Sequence, residues 1–363
     1  MYEKNDIFVL YMKTKTFIIA AAALLLGACT GSPGGNNTSG GENQSGKAGT
    51  TKVPDTKPEA SPAGKFPTVS IPSVYSDNQE EARNYLLDHY WDAFFKSDGK
   101  TTPEAILGVA DAEVEQAIAN YIEILQTMKA QSTPDSPALF KKAVANVNRF
   151  FGKLEAKQLA DTSSKTYLRL TEIVSRYLFD PNSPMRDEDF YLPFVEGMLK
   201  SPCTREDMRN AYRFEAAQCR RNGFGQTAVN FKFKDAGGNK GSLHAVQADY
   251  TMLFFSNPGC TSCKEIIDDI NSCGCISPMI ADKRLAIVNI YIDEEVQKWR
   301  EYLPNYPKSW INGYDYTFLL RDSADYDIRA IPSLYLLDGK KRVLMKDAPT
   351  QRVLAYLENI YAQ

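Results

Sequence analysis

The feature that most constrains this 363-residue chain is a short succession in its last third. Residues 250–256 form a compact apolar run, Asn257-Pro258-Gly259 ends it, and Cys260-Thr261-Ser262-Cys263 opens a segment with helical spacing. Such a run predicts a strand buried on both faces, as in sheets covered by other layers. Ile266, Ile267 and Ile270 then predict a helix over 260–271 with an inward face. A cysteine at the start of that helix meets unpaired backbone N–H groups and the positive end of the dipole. Both favour thiolate over thiol, and cysteines so placed have pKa values of about 3.5–7.5 instead of about 8.5. Cys260 is therefore the candidate attacking sulfur, and Cys263, one turn on and more buried, the candidate resolving sulfur. A static structural bridge is the competing reading.

The surrounding pattern changes character at Asn222-Gly223-Phe224-Gly225. After it, residues 229–234 alternate as a strand and 235–241 read as a Gly-rich hairpin turn. Residues 285–292 predict a second buried strand and 294–302 a helix. Residues 333–337 and 342–346 flank Asp338-Gly339-Lys340-Lys341 as a hairpin, and 349–361 predict a closing helix. That order is an α/β sandwich. Before residue 222 the periodicity is helical, with helices expected over 80–95, 111–128, 138–151, 165–178, 187–198 and 205–221 and no β-type alternation between them. Thr102-Pro103-Glu104 reads as an N-cap followed by proline at the first helical position. His89-Tyr90-Trp91-Asp92 is expected to be core packing around a satisfied histidine. The fold class expected is α+β with two domains: an all-α helical domain over 66–222, then the sandwich over 223–363.

The second half resembles the thioredoxin superfamily, specifically its TlpA/ResA-like periplasmic branch. The resemblance rests on Phe254-Phe255-Ser256, on Cys260-Thr261-Ser262-Cys263, on Val288 to Asp293 and on Ala330-Ile331-Pro332-Ser333 with the apolar run that follows. It implies that the Ile331–Pro332 bond is cis and packs beside the dithiol, with the Ile331 backbone offered to an extended substrate segment. Two departures stand out. Asn257-Pro258-Gly259 replaces the tryptophan usual before the motif, and no acidic residue lies within 250–256 to act as a buried proton acceptor. Asn257 also stands three residues before Cys260, where a peroxiredoxin has threonine. On Phe66-Pro67, Asp88-His89-Tyr90-Trp91-Asp92, the segments from Asp180 to Arg186 and from Trp310 to Asp315, and Lys346-Asp347, the chain also resembles uncharacterised lipoproteins of anaerobic Gram-negative gut bacteria over nearly the whole length after the tether. In these a helical domain of unknown function precedes a thioredoxin-like domain.

The N-terminus places this chemistry outside the cytoplasm. Lys13 and Lys15 precede a short apolar run from Phe17 to Leu26, then Gly27-Ala28-Cys29, the plan of a secretory signal over residues 1–28 with Met12 as the better start. The run is shorter than the ~20 residues of a membrane span. Leu26-Gly27-Ala28-Cys29 resembles the lipobox of bacterial lipoproteins, which implies a lipid on Cys29. Residues 29–65 are then a lipidated tether too polar to offset its own ordering entropy. No acidic pair follows Cys29, so the expected location is the cell envelope, at the outer membrane and facing the periplasm. The formal charge of −3 argues against a nucleic-acid partner. The two histidines leave little for a histidine-rich metal site, and no metal or cofactor is expected.

Four cysteines remain. Cys203 and Cys219 are expected in one helix, about 24 Å apart at 1.5 Å per residue, too far to bond. Cys273-Gly274-Cys275 has three readings: a zinc site shared with Cys260 and Cys263, a second redox pair, or small loop residues bridged to Cys203 or Cys219. The function expected is a membrane-anchored thiol–disulfide oxidoreductase acting on exported proteins, resupplied by an electron-donor protein. The alternative is a binding lipoprotein whose sandwich is a scaffold and whose helical domain holds a partner or ligand.

Overall fold

The structure, a computed structural model, describes residues 64–75, 77–322, 325–326 and 328–362. The expected signal segment, Cys29 and all but the end of the tether lie outside the described residues. Helix α1 (Gln79–His89) starts at Asn78, whose side chain accepts from the N–H groups of Glu80 and Glu81. Those two acidic residues also oppose the positive helix end. The single helix expected over 80–95 is broken at Tyr90-Trp91, and α2 (Asp92–Lys96) follows. Trp91 is the reason: at 2% exposure it is surrounded by Phe66, Phe94, Tyr121 and Phe150, with the Phe150 ring 4.6 Å away. His89 is not core; its side chain is 44% exposed and bonds Asp92 through Nδ1 at 2.8 Å.

A hairpin, β1 (Ala105–Ile106) with β2 (Val109–Ala110), corrects the expectation of helix from Thr102 onward and of no β structure in this half. Thr102 caps a turn instead, accepting from the Glu104 N–H at 3.3 Å. Between the strands Leu107 and Gly108 both take positive φ, 52° and 79°, as a type I′ hairpin turn requires. Five helices follow: α3 (Asp111–Ala130), α4 (Ala138–Ala160), α5 (Thr166–Leu178), α6 (Glu188–Lys200) and α7 (Arg209–Cys219). They close over one apolar cluster that includes Leu125, Leu154, Phe190 and Phe194. Gly197 lets α6 approach α4, since a Cβ there would lie 2.6 Å from the Phe151 ring. Because α7 begins at Arg209, Cys203 sits in the turn before it and does not share a helix with Cys219.

The remaining elements are β3 (Lys232–Asp235), β4 (Lys240–Ser242), β5 (Tyr250–Phe255), α8 (Thr261–Ser272), α9 (Ile276–Ala281), β6 (Leu285–Tyr291), α10 (Val296–Tyr302), β7 (Ile311–Tyr314), α11 (Leu319–Asp322), β8 (Ser333–Asp338), β9 (Val343–Met345) and α12 (Thr350–Tyr361). The sheet order is β4-β3-β7-β6-β5-β8-β9. Strand β5 runs parallel to β6 and antiparallel to β8. Its side chains alternate: Met252 and Phe254 enter the cluster beneath α8, α9 and α12, while Leu253 and Phe255 enter the opposite one with Leu243, Tyr326 and Tyr335. Burial on both faces is what the compact apolar run required.

Buried charge joins the two halves. Glu188 at the start of α6 meets Arg329 at 2.5 Å and Lys346 at 2.6 Å, with the Glu188 and Lys346 side chains 3% and 2% exposed. Asp189 accepts from the Phe224 N–H at 2.9 Å and also pairs with Lys129. Removing one member of such a cluster leaves the others charged and unsolvated, at a cost of about 3–5 kcal/mol. Glu188→Ala should therefore lower the unfolding free energy read from a urea titration by an amount of that order, whereas Glu206→Ala, at an exposed pair, should leave it within ~0.5 kcal/mol.

Candidate functional site

The register of β5 assembles the site. Phe255, its last residue, faces Ser333, the first residue of β8. The chain leaving β5 reaches Cys260 five residues later, while Ser333 is preceded directly by Ile331–Pro332, whose peptide bond is cis. The Cys-x-x-Cys turn and the cis-proline loop therefore share one end of the sheet. Cys260 and Ile331 are both half-buried and pack against the same apolar cluster as Cys263.

Local sequence explains the turn. Pro258 followed by Gly259 at φ +72° is the signature of a type II turn, closed by the Cys260 N–H on the Asn257 carbonyl at 3.3 Å. The Asn257 side chain donates to Asp293 Oδ2 at 2.8 Å, tying the turn to the end of β6. Cys260 is then the N-cap of α8, and the Cys263 N–H donates to its Sγ at 3.1 Å. A helix-terminal amide thus points at the sulfur expected to react. Cys263 is 2% exposed. Burial, and after it the hydrogen bond shared with Cys260, pushes its thiol up to about 12.

A neutral polar chain that carries no joint signal in the sequence runs from Ser256, just after β5, across β6 and β7. Ser256 donates through Oγ to Asn289 Oδ1 at 2.5 Å and lies 3.3 Å from the Tyr306 hydroxyl. Asn289 continues the chain to Asn312 at 3.0 Å, and Asn312 donates to the Pro307 carbonyl at 2.9 Å. Burial pushes the Tyr306 phenol up to about 12, and the Cys263 sulfur is near enough to add to that shift. The signal available was Asn289, a lone polar residue inside the apolar run of β6.

The cis-proline loop is held from behind. Ser333 Oγ donates to Asp347 Oδ1 at 2.8 Å, and Arg186, just before α6, donates through Nε to the Asp347 carbonyl at 2.5 Å. The helical half thereby touches the segment that seats the loop. The other cysteines do not join the site. Cys203 and Cys219 pack in the helical core, so the bridge considered between them and Cys273 or Cys275 is not formed. The twelve residues of α8, about 18 Å at 1.5 Å per residue, separate Cys273 and Cys275 from Cys260. Among the described residues no group of three or more His, Cys, Asp and Glu side chains gathers as a metal site would.

Three central parallel strands, β7, β6 and β5, flanked by antiparallel ones, with a Cys-x-x-Cys helix and a cis-proline before β8, define a thioredoxin-like fold. The sequence pattern of the family described as "Domain of unknown function (DUF5106)" matches residues 39–222, about half of the chain, and the chain belongs to that family. A thioredoxin-like protein from Bacteroides caccae ATCC 43185 is 34% identical over 82% of this chain and 99% of its own, with a TM-score of 0.65. The C-terminal domain of an uncharacterized protein from Bacteroides fragilis NCTC 9343 is 42% identical over 38% of this chain and 98% of its own, TM-score 0.37. The thioredoxin domain of a thiol-disulfide oxidoreductase from Bacteroides vulgatus is 18% identical over 38% of this chain and 98% of its own, TM-score 0.35. The first superposes on most of the chain and carries the comparison. No curated protein matches it.

The burial of Cys263 makes a direct prediction. With its thiol held up near 12, it stays protonated at neutral pH in the reduced protein. Brief iodoacetamide treatment at pH 7, read by peptide mass spectrometry, should modify Cys260 well ahead of Cys263. Equal labelling of the two would contradict the arrangement.

Proposed function

We propose that this chain is a membrane-anchored thiol–disulfide oxidoreductase that acts on exported proteins through Cys260 and Cys263. One observation carries the reading: the half-buried Cys260 sulfur receives a helix-terminal N–H at the sheet end where Ile331 and cis-Pro332 also stand. The Cys260 thiolate attacks one sulfur of a substrate disulfide, forming a mixed disulfide and releasing the other sulfur as a thiolate. Cys263 then attacks Cys260, the protein disulfide closes and the second substrate thiol leaves. Two electrons pass from the protein dithiol to the substrate, and an electron-donor protein restores the dithiol. The reverse sequence oxidises a substrate dithiol with the same atoms. Ile331 offers its backbone as a β-type partner to an extended substrate, with Pro332 fixing the loop.

Cys29, lipidated, anchors the protein at the outer membrane facing the periplasm, where disulfides persist. Among the described residues no helix is long and apolar enough to cross a membrane. The chemistry needs no cofactor or metal.

Insulin reduction in the presence of a dithiol reports the activity. Wild-type protein should accelerate it, and Cys260→Ser should reduce the rate to that of the dithiol alone. A folded wild-type chain with no effect on insulin or any other protein disulfide would sink the proposal. Cys263→Ser cannot resolve its mixed disulfide, so expressed in its own cells it should retain substrates in adducts released by reductant. Cys29→Ser should move the protein from the membrane to the soluble fraction, and an unchanged membrane fraction would remove the anchor.

A further inference from the structure

Cys273 and Cys275, at the end of α8 away from Cys260, are left unused by that chemistry. Their sulfurs stand 3.1 Å apart, about 1 Å more than the ~2.05 Å of a disulfide bond. Between them Gly274 is exposed, and a Cβ on it would meet nothing within 4 Å. The backbone that must adjust to close the bond is therefore the most permissive available. The two sulfurs are unequal. Cys273 is half-buried, with Glu358 Oε1 at 3.5 Å, whereas Cys275 is 4% exposed and packs in the apolar cluster under α8. Among the described residues neither has another cysteine within reach, since Cys203 and Cys219 belong to the helical core and Cys260 and Cys263 lie at the opposite end of α8.

From this placement we infer that Cys273 and Cys275 form a second dithiol–disulfide couple, which exchanges with small aliphatic disulfides at Cys273. The chain is open on the outer side of Gly274, so a small disulfide can reach Cys273. The Cys273 thiolate attacks a disulfide R–S–S–R, forming Cys273–S–S–R and expelling one RS⁻. Cys275 then attacks Cys273 Sγ, the Cys273–Cys275 bond forms and the second RS⁻ leaves. Two thiol protons end on the two RS⁻ groups, and two electrons pass from the protein to the small disulfide. Burial and the neighbouring Cys273 push the Cys275 thiol up to about 12, which fits Cys273 acting first and Cys275 resolving.

The test uses the full chain carrying Cys260→Ser and Cys263→Ser, with folding checked by circular dichroism, and wild-type protein in parallel. Both are equilibrated across reduced and oxidised glutathione ratios, quenched in acid, alkylated and mapped by mass spectrometry. The inference predicts a peptide carrying a Cys273–Cys275 link, two hydrogens lighter than the dithiol form, that appears and disappears reversibly with the ratio in both proteins. Cys273→Ser should abolish the link, and Cys275→Ser should leave a stable glutathione adduct on Cys273. Thiols that stay reduced at every ratio, or separate adducts on the two sulfurs without a link, would overturn it. The insulin assay reads Cys260 and Cys263 and this assay reads Cys273 and Cys275, so either reading can fail without the other.

Discussion

Strand β5 and its two in-register neighbours are the constraint on which the site depends. Six residues pair with β6 on one side and with β8 on the other, and β5 buries side chains on both faces. A slip of one residue against β8 would move every side chain of one strand to the wrong face. Two separate clusters hold that register, and the register in turn sets the cis-proline loop at the end where Cys260 begins its helix. The candidate site is thus a consequence of sheet pairing, with sequence separations that local structure alone could not bridge.

The second constraint is the charged seam. Glu188, Arg329, Lys346, Arg186 and Asp347 come from both halves and are largely withdrawn from water. Buried ion pairs contribute little net stability compared with apolar packing, yet they are costly to break singly and so fix one relative arrangement. Here they fix the segment behind the cis-proline loop. Burial raises the Asp347 carboxyl from its ordinary range, with Arg186 opposing the shift. Contacts from the helical half therefore bear on the shape of the candidate site.

Much of the second half was legible because its signals are local. The apolar run of β5, the Pro258-Gly259 turn, the isoleucines of α8 and the Asp338-Gly339 hairpin each carry their conformation in a few residues. Strand β7 was not legible: Ile-Asn-Gly-Tyr has two residues depleted in strands, and Gly313 is there because a Cβ would lie 2.9 Å from the Lys234 carbonyl. In the first half, the break at Tyr90-Trp91 and the hairpin at Leu107-Gly108 depend on tertiary burial that overrides helical periodicity. The polar chain from Ser256 to Asn312 was hidden for a related reason. Its members are ordinary residues far apart in sequence, and only the fold aligns them across neighbouring strands. The seam is hidden in the same way, as Glu188 and Lys346 have no mutual signature in one sequence.

The role proposed for Cys260 and Cys263 is reversible exchange, and a static bridge would share their geometry. The reduction potential separates the two. Structural disulfides lie below about −300 mV, and working couples lie above it. Equilibrating the full chain with glutathione or dithiothreitol buffers and quantifying the Cys260–Cys263 bond should give a potential above about −300 mV with exchange complete in minutes. A value below that, with a bond that resists these buffers, would mark the pair as structural and contradict the account.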